Sequence, residues 1–303
     1  NDLLFFTKKG IYYRMKVYEI TPGNKNSKGR AIQNLLEIAP DDAINAVIPI
    51  KGIKDTEFAE THNLVFATKS GVIKKTSLRE YVNAPTKGKK AIIIREDDQL
   101  IGVELTDGNS EIIMANRMGR AIRFHEKAVR EMGRVSTGVR GMTLSSPDDE
   151  IVGMICMQPD TTNDVLVVSS NGYGKRSPLD DYRVTNRGGK GVKTLNVTDK
   201  TGELVAIKSV NDENDLVIIN RSGITLRIRV ADIRVQGRAT QGVRLINLEK
   251  RNDVIASVCS TATDPEEETQ EVDDTELPED VSVADADLEA DDADTEGSAS
   301  EEK

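Results

Sequence analysis

The chain has 303 residues, 37% of them hydrophobic, and 41 Lys plus Arg against 51 Asp plus Glu, enough for one large repeat domain or two ordinary ones. The charge is unevenly placed: Thr261–Lys303 holds 19 acidic residues and one Lys, so a body with 32 acidic and 40 basic residues precedes a strongly acidic tail. Cys156 and Cys259 stand far apart with no C-x-x-C and no neighbouring histidine cluster, so neither a disulfide framework nor a zinc site is suggested, and neither a membrane-length apolar run nor a signal peptide is present, so the reading is a soluble intracellular chain with reduced thiols.

The first unit reads LLFFTKKG, then IYYRMKVYEI, a polar loop TPGNKNSKGR, the apolar AIQNLLEIA, and the turn Pro40-Asp41-Asp42 before AINAVIPI. Short apolar segments broken by Gly, Asn, Asp and Pro predict strands and turns. The pattern then returns. LVFATKSG ends at Gly71, IIMANRMG at Gly119, VLVVSSNG at Gly172 and LVIINRSG at Gly223, matching LLFFTKKG at Gly10, with spacings of 61, 48, 53 and 51 residues. A second glycine follows 19 residues later in four copies (Gly29, Gly138, Gly191, Gly242) and 17 later in one (Gly88). Acid-containing turns precede the last apolar run of most units: Asp41-Asp42, Asp97-Asp98, Asp148-Asp149 and Asn252-Asp253. Turn capping explains them better than metal ligation. Each unit is thus about four strands, and a period near fifty with glycines in register marks an architecture whose single unit cannot bury its apolar face alone.

Sustained helical periodicity is absent; Leu78–Val82 and Phe124–Val129 are read as single turns at most. In the fifth unit Ile224, Leu226 and Ile228 alternate with Thr225, Arg227 and Arg229, a strand with one apolar and one cationic face. The units lie near residues 3–50, 64–105, 112–157, 165–210 and 216–258. Five four-stranded units predict an all-β, propeller-like toroid over residues 1–260. With no Trp in the chain it is not a WD40 propeller. The tail, residues 261–303, has too little apolar surface to offset its ordering entropy and is expected to be disordered.

Two sets of cations recur. Four residues after each first glycine stand Arg14, Lys75, Arg123, Arg176 and Arg227, which strand parity groups with Lys16, His125 and Arg229 in a column. The second-glycine loops carry Lys28 and Arg30; Lys87, Lys89 and Lys90; Arg140; Arg187, Lys190 and Lys193; and Arg244. Glycine lets backbone N–H groups approach a phosphate, and Lys or Arg supplies charge-assisted bonds. One such loop is ordinarily a solvated turn. Five at matched positions on a basic body point to a rim that binds a curved polyanion, through phosphates and therefore without reading sequence. His62 and His125 stand alone and are read as surface or hydrogen-bonding residues.

In RMKVYEI, KGRAIQNLL, SGVIKKTSL, TGVRGM, NGYGKRSPLDDY, TQGVRLI and the acidic tail, the chain resembles the C-terminal domain of the DNA gyrase A subunit. The resemblance covers the whole body. It implies a β-pinwheel of six blades that exchange strands with their neighbours, DNA wrapped on the outer rim, and a signature box Q-R-R-G-G-[KR]-G in the first blade. The nearest match is Thr185-Asn186-Arg187-Gly188-Gly189-Lys190-Gly191, which lacks the Gln and first Arg and lies in a later repeat. The expectation is a fragment with five of six repeats, its true box before Asn1. The parent implied is an ATP-dependent type II topoisomerase in the bacterial cytoplasm, a heterotetramer of two A and two B subunits. Its nucleophilic tyrosine lies in another domain, and ATP and Mg²⁺ enter through other domains and the B subunit. No catalytic residue, cofactor or metal is expected in this chain; Tyr81 and Tyr182, at matching repeat positions, are read as packing residues. Two other readings are the C-terminal domain of the topoisomerase IV A subunit, which positions DNA for decatenation, and a propeller binding an acidic protein.

Overall fold

The computed structural model describes residues 1–23, 29–84, 87–248 and 253–263. Five antiparallel sheets form blades around a shared cavity of about 720 Å³. The cavity is lined by the innermost strands, Ile44–Ile50, Leu100–Thr106, Ile151–Met157, Leu204–Val210 and Ile255–Ala262. Next outward come Asp2–Thr7, Asn63–Thr68, Glu111–Asn116, Asp164–Ser169 and Asn214–Asn220. The third strands are Ile11–Lys16, Val72–Ser77, Arg120–His125, Tyr173–Ser177 and Thr225–Arg229.

The outermost strand of each of the first four blades comes from the following repeat. Lys89–Lys90 pairs with Tyr12 and Ile11, Val139–Arg140 with Ile73 and Val72, Val192–Lys193 with Ala121 and Arg120, and Val243–Arg244 with Gly174 and Tyr173. The all-β toroid of blades expected from the repeats is therefore present, and it has the strand exchange of the pinwheel that the family resemblance implies, at four joints. Among the described residues the fifth sheet has three strands, and no outer strand covers Thr225–Arg229.

Strand exchange gives the paired glycines their physical role. The carbonyl of the first glycine in each of the first four repeats accepts two consecutive N–H groups of the next repeat: Ala91 and Ile92 on Gly10, Gly141 and Met142 on Gly71, Thr194 and Leu195 on Gly119, Leu245 and Ile246 on Gly172. Gly119 has φ +74°, and a Cβ there would lie 2.5 Å from the Leu195 carbonyl oxygen. Only glycine combines that conformation with that approach. At Gly223, φ +86°, nothing lies within 4 Å of the same position, because among the described residues no further segment docks on the fifth blade.

Among the described residues four cores lie between blades, and a fifth, of Phe5, Tyr13, Met15, Leu36 and Ile38, lies within the first repeat. Leu4, Phe6 and Tyr12 of the first blade pack with Leu64, Phe66, Leu78 and Tyr81 of the second, and equivalent clusters fill the next three joints. Tyr81 and Tyr182 are buried packing residues, as expected, and donate or share hydroxyl bonds with Ala91 O and Thr194 Oγ1. Each burial of this size contributes on the order of 2–3 kcal/mol. The single turns expected near 78 and 126 are 3₁₀ turns, Leu78–Tyr81 and Glu126–Ala128, with counterparts at Val17–Glu19, Leu179–Asp181 and Val230–Asp232. A short α-helix, Thr56–Thr61, capped by the Asp55 side chain, occupies the longest spacing between repeats. Capping also explains the acid turns: Asp42, Asp98, Asp149 and Asp253 each accept the next residue's N–H and one from a neighbouring hairpin. The last innermost strand runs to Ala262, two residues beyond the boundary at 260, and Thr263 N–H bonds Glu213 O. The acidic segment from 264 lies outside the described residues.

Candidate nucleic-acid interface

The cations four residues after each first glycine do not form an outward column, which corrects the expectation for the first four. Arg14 pairs with Asp2 at 2.8 Å and donates to Val82 O; Lys75 donates to Glu126 O at 3.1 Å. Arg123 pairs with Glu111 and reaches Leu179 O and Tyr182 O at 2.7 and 2.8 Å; Arg176 reaches Ile233 O at 2.7 Å and pairs with Asp212. Each clamps the 3₁₀ turn of the next repeat, where its charge is spent on carbonyls and a carboxylate. The grouping partner Lys16 likewise pairs with Asp2 at 2.9 Å. Despite burial, which raises a carboxyl's pKa, hydrogen bonds from Lys16 and Arg14 hold Asp2 below the usual carboxylate range. Arg227 is exposed and pairs with Asp215 at 2.7 Å. A sequence signal for this role exists: an acid stands twelve residues before the cation in four units, Asp2, Glu111, Asp164 and Asp215.

The second-glycine loops behave differently. Lys87, Lys89, Lys90, Arg140, Lys190, Lys193 and Arg244 are exposed on or beside the outermost strands, and Arg30 is exposed in the first repeat. Lys28 lies outside the described residues. Lys90, Arg140, Lys193 and Arg244 each stand two residues after the second glycine, one per joint. Arg244 also donates to the Tyr173 hydroxyl at 3.0 Å, and Lys89 to Asn83 O at 3.2 Å. The degenerate box is part of the third joint: Thr185 N–H bonds Arg123 O, Gly188 N–H bonds Gly141 O, and Gly189 O accepts from Thr143 N–H. Asn186, Lys190 and Gly189 are exposed, and Gly191 immediately precedes the outer strand Val192–Lys193. Arg187, half-buried, donates to Ala128 O and Arg140 O, both at 2.9 Å.

Two further cation sets escaped the sequence reading. Arg130, Arg183 and Arg234 stand eight residues before their second glycines and are exposed; Arg134 and Arg238 stand four before theirs, as Arg187 does. Aligning the loops on the second glycine alone would have exposed both. Beneath the loops are two fully buried lysines. Lys74 Nζ donates to Ala91 O at 2.7 Å and to Arg134 O, over the Phe66 ring; Lys175 Nζ donates to Gly237 O at 2.6 Å and Thr240 Oγ1 at 3.0 Å. Burial pulls both ammonium groups down to about 7. Elsewhere, His125 Nδ1 accepts from Lys127 N–H at 3.1 Å and His62 stacks on Phe58, so both histidines hold local structure.

A ring of strand-exchanging blades with exposed cations in register on its outer strands defines a β-repeat toroid with a basic rim. The chain matches the family described as DNA gyrase C-terminal domain, beta-propeller, in five successive segments, residues 1–51, 62–107, 110–156, 163–211 and 214–259, and it belongs to that family. The DNA gyrase A subunit of Staphylococcus aureus (strain NCTC 8325 / PS 47) is 42% identical over 271 residues, 89% of this chain. The chain spans only 30% of that relative's length. Among solved structures, the C-terminal domain of DNA topoisomerase IV aligns at TM-score 0.76 and 28% identity, over 86% of this chain and 79% of that one. A DNA gyrase A C-terminal domain aligns at 0.72 and 24% identity, over 85% and 81%. The latter likeness speaks to fold alone.

Proposed function

We propose that this domain binds duplex DNA along its rim and wraps it, through phosphate contacts that carry no sequence information. The observation that carries this reading is the matched row Lys90, Arg140, Lys193 and Arg244, one exposed cation per joint on the outermost strands. Bending a duplex costs several kcal/mol, and a curved row of phosphate contacts is the means of offsetting it. Arg130, Arg183 and Arg234 extend the row on the loops that lead into those strands. In the parent protein, wrapping would present a DNA segment of defined hand to an ATP-dependent type II topoisomerase, with ATP, Mg²⁺ and the B subunit engaged by other domains in the bacterial cytoplasm. Strand passage would then be directional, as negative supercoiling requires.

A second reading, DNA positioning in a topoisomerase IV A subunit, is favoured by the structural likeness to that enzyme's C-terminal domain. Religation of a nicked plasmid with the protein bound separates the two. Wrapping predicts a change in linking number that grows with protein and fades with salt. Duplex binding without that change leaves positioning, and no binding leaves the acidic-protein propeller. In the binding assay each phosphate contact should contribute about 0.9 to the slope of log affinity against log salt.

A further inference from the structure

The rim loops are joined to one another as well as to their blades. Three backbone bonds repeat at equal register: Ile93 N–H to Ser136 O at 3.0 Å, Thr143 N–H to Gly189 O at 2.9 Å, and Asn196 N–H to Thr240 O at 3.1 Å. In each pair the donor stands five residues after one second glycine and the acceptor two residues before the next. Three arginines repeat the connection with their side chains. Arg134 donates to Lys90 O, Arg187 to Arg140 O at 2.9 Å, and Arg238 to Lys193 O at 3.0 Å. The acceptor is the main chain of the exposed cation two residues past the preceding second glycine. The loops bearing two of these arginines are themselves tied down from below, since Lys74 caps Arg134 O and Lys175 caps Gly237 O.

We infer that Arg134, Arg187 and Arg238 are positioning residues for DNA: each stitches its rim loop to the neighbouring outer strand and sets the place of the phosphate-contacting cation there, without itself contacting phosphate. The inference rests on the rim reading above and reassigns the arginine of the degenerate box. A guanidinium suits the task because its planar fork reaches two carbonyls at once, as Arg187 does with Ala128 O and Arg140 O, and it stays charged throughout. A carbonyl held from the neighbouring loop cannot shift without moving its own side chain's Cα. The spacing of Lys90, Arg140 and Lys193 along the rim is therefore set by the stitches between blades, in addition to each blade's own strand pairing.

A double-substitution cycle in the intact protein tests this, read as duplex affinity across a salt series with folding followed by circular dichroism. Arg140→Gln should lower the salt slope by about 0.9, the value of one phosphate contact. Arg187→Gln should lower it by a similar amount alone and by nothing further in the Arg140→Gln background, since the two act as one unit. Arg187→Lys should behave like Arg187→Gln, because a single ammonium cannot hold two carbonyls apart by a fork. A slope restored by Arg187→Lys, or two losses that add, would make Arg187 a phosphate ligand and overturn the inference. So would an unchanged slope in Arg187→Gln, which would leave it a purely structural bond. If Arg187→Gln does not fold, the pair Arg238→Gln and Lys193→Gln runs the same cycle at the next joint. Plasmid religation with the unsubstituted protein is the separate control: no linking-number change there removes wrapping while a non-additive cycle still supports the stitch.

Discussion

Lys74 and Lys175 are cationic residue types in wholly buried places, and their neighbours explain how the fold tolerates them. A neutral lysine amine has two N–H groups, and each site offers two acceptors: Ala91 O and Arg134 O for Lys74, Gly237 O and Thr240 Oγ1 for Lys175. Burial is the main reason the folded-state value falls from 10.5 to about 7; Arg134 adds to the depression at Lys74, where Glu80 opposes it, and Arg238 adds to it at Lys175, where Asp181 opposes it. Because the folded value lies below the unfolded one, the unfolded chain holds more protons between about pH 7 and 10.5. Stability therefore rises with pH through that window and is flat in this respect below it. The expected slope is about 1 kcal/mol per pH unit for each lysine. Urea unfolding at pH 6, 7, 8 and 9 checks it: Lys74→Met should remove part of the rise relative to the unsubstituted chain and, by leaving the Arg134 carbonyl without its buried donor, cost about 1–3 kcal/mol at pH 8. Parallel curves for the two proteins would mean that Lys74 keeps an ordinary pKa in the fold.

At the scale of the element, the joint between blades is the unit of stability, and the two glycines of each repeat serve different joints. Gly119 receives the fourth repeat's segment while Gly191 delivers it, so residues 72 apart in sequence meet at one edge. Gly119→Ala would drive a methyl into the Leu195 carbonyl and add the strain of φ +74°. Gly223→Ala carries the same kind of strain, at φ +86°, into open space. The first should cost several kcal/mol and the second about 1–2, in chemical denaturation of the two variants. Equal losses would show that conformation, and not docking, is what selects the glycine. Strand exchange came only from the family resemblance, whereas the glycine period, the strand count and the all-β toroid were legible in the sequence because they are spacing and residue type. Which side of a joint a residue serves was not. Arg123 and Lys193 look equivalent as loop or strand cations, yet one is folded under the next repeat against Glu111 and the other stands on the rim. The difference follows from strand exchange, which places a residue against a neighbour that local sequence does not reveal. The helix at Thr56–Thr61 was missed for a simpler reason, since six residues are too few to display a period.

Over the whole molecule the decisive quantity is the separation of charge. Residues 264–303 hold 19 acidic residues and one Lys, on the same chain as a body with more basic than acidic groups. On the rim reading proposed above, such a tethered polyanion would be present at an effective concentration on the order of millimolar, however dilute the protein, and would compete for the same exposed cations as a phosphate backbone. If both anions reach the rim, they compete for Lys90, Arg140, Lys193 and Arg244. DNA would then have to displace the segment at an electrostatic cost that shrinks as the Debye length falls from about 10 Å at 0.1 M salt to about 3 Å at 1 M. Removing Asp264–Lys303 should accordingly tighten duplex binding by about tenfold near 0.05 M salt and leave it unchanged near 0.5 M. The salt slope should steepen on removal, because DNA then releases only its own counterions and recovers no cations from the segment. Affinities of the two proteins that coincide at every salt concentration would mean that the acidic segment never reaches the rim, and that its charge acts on solubility alone.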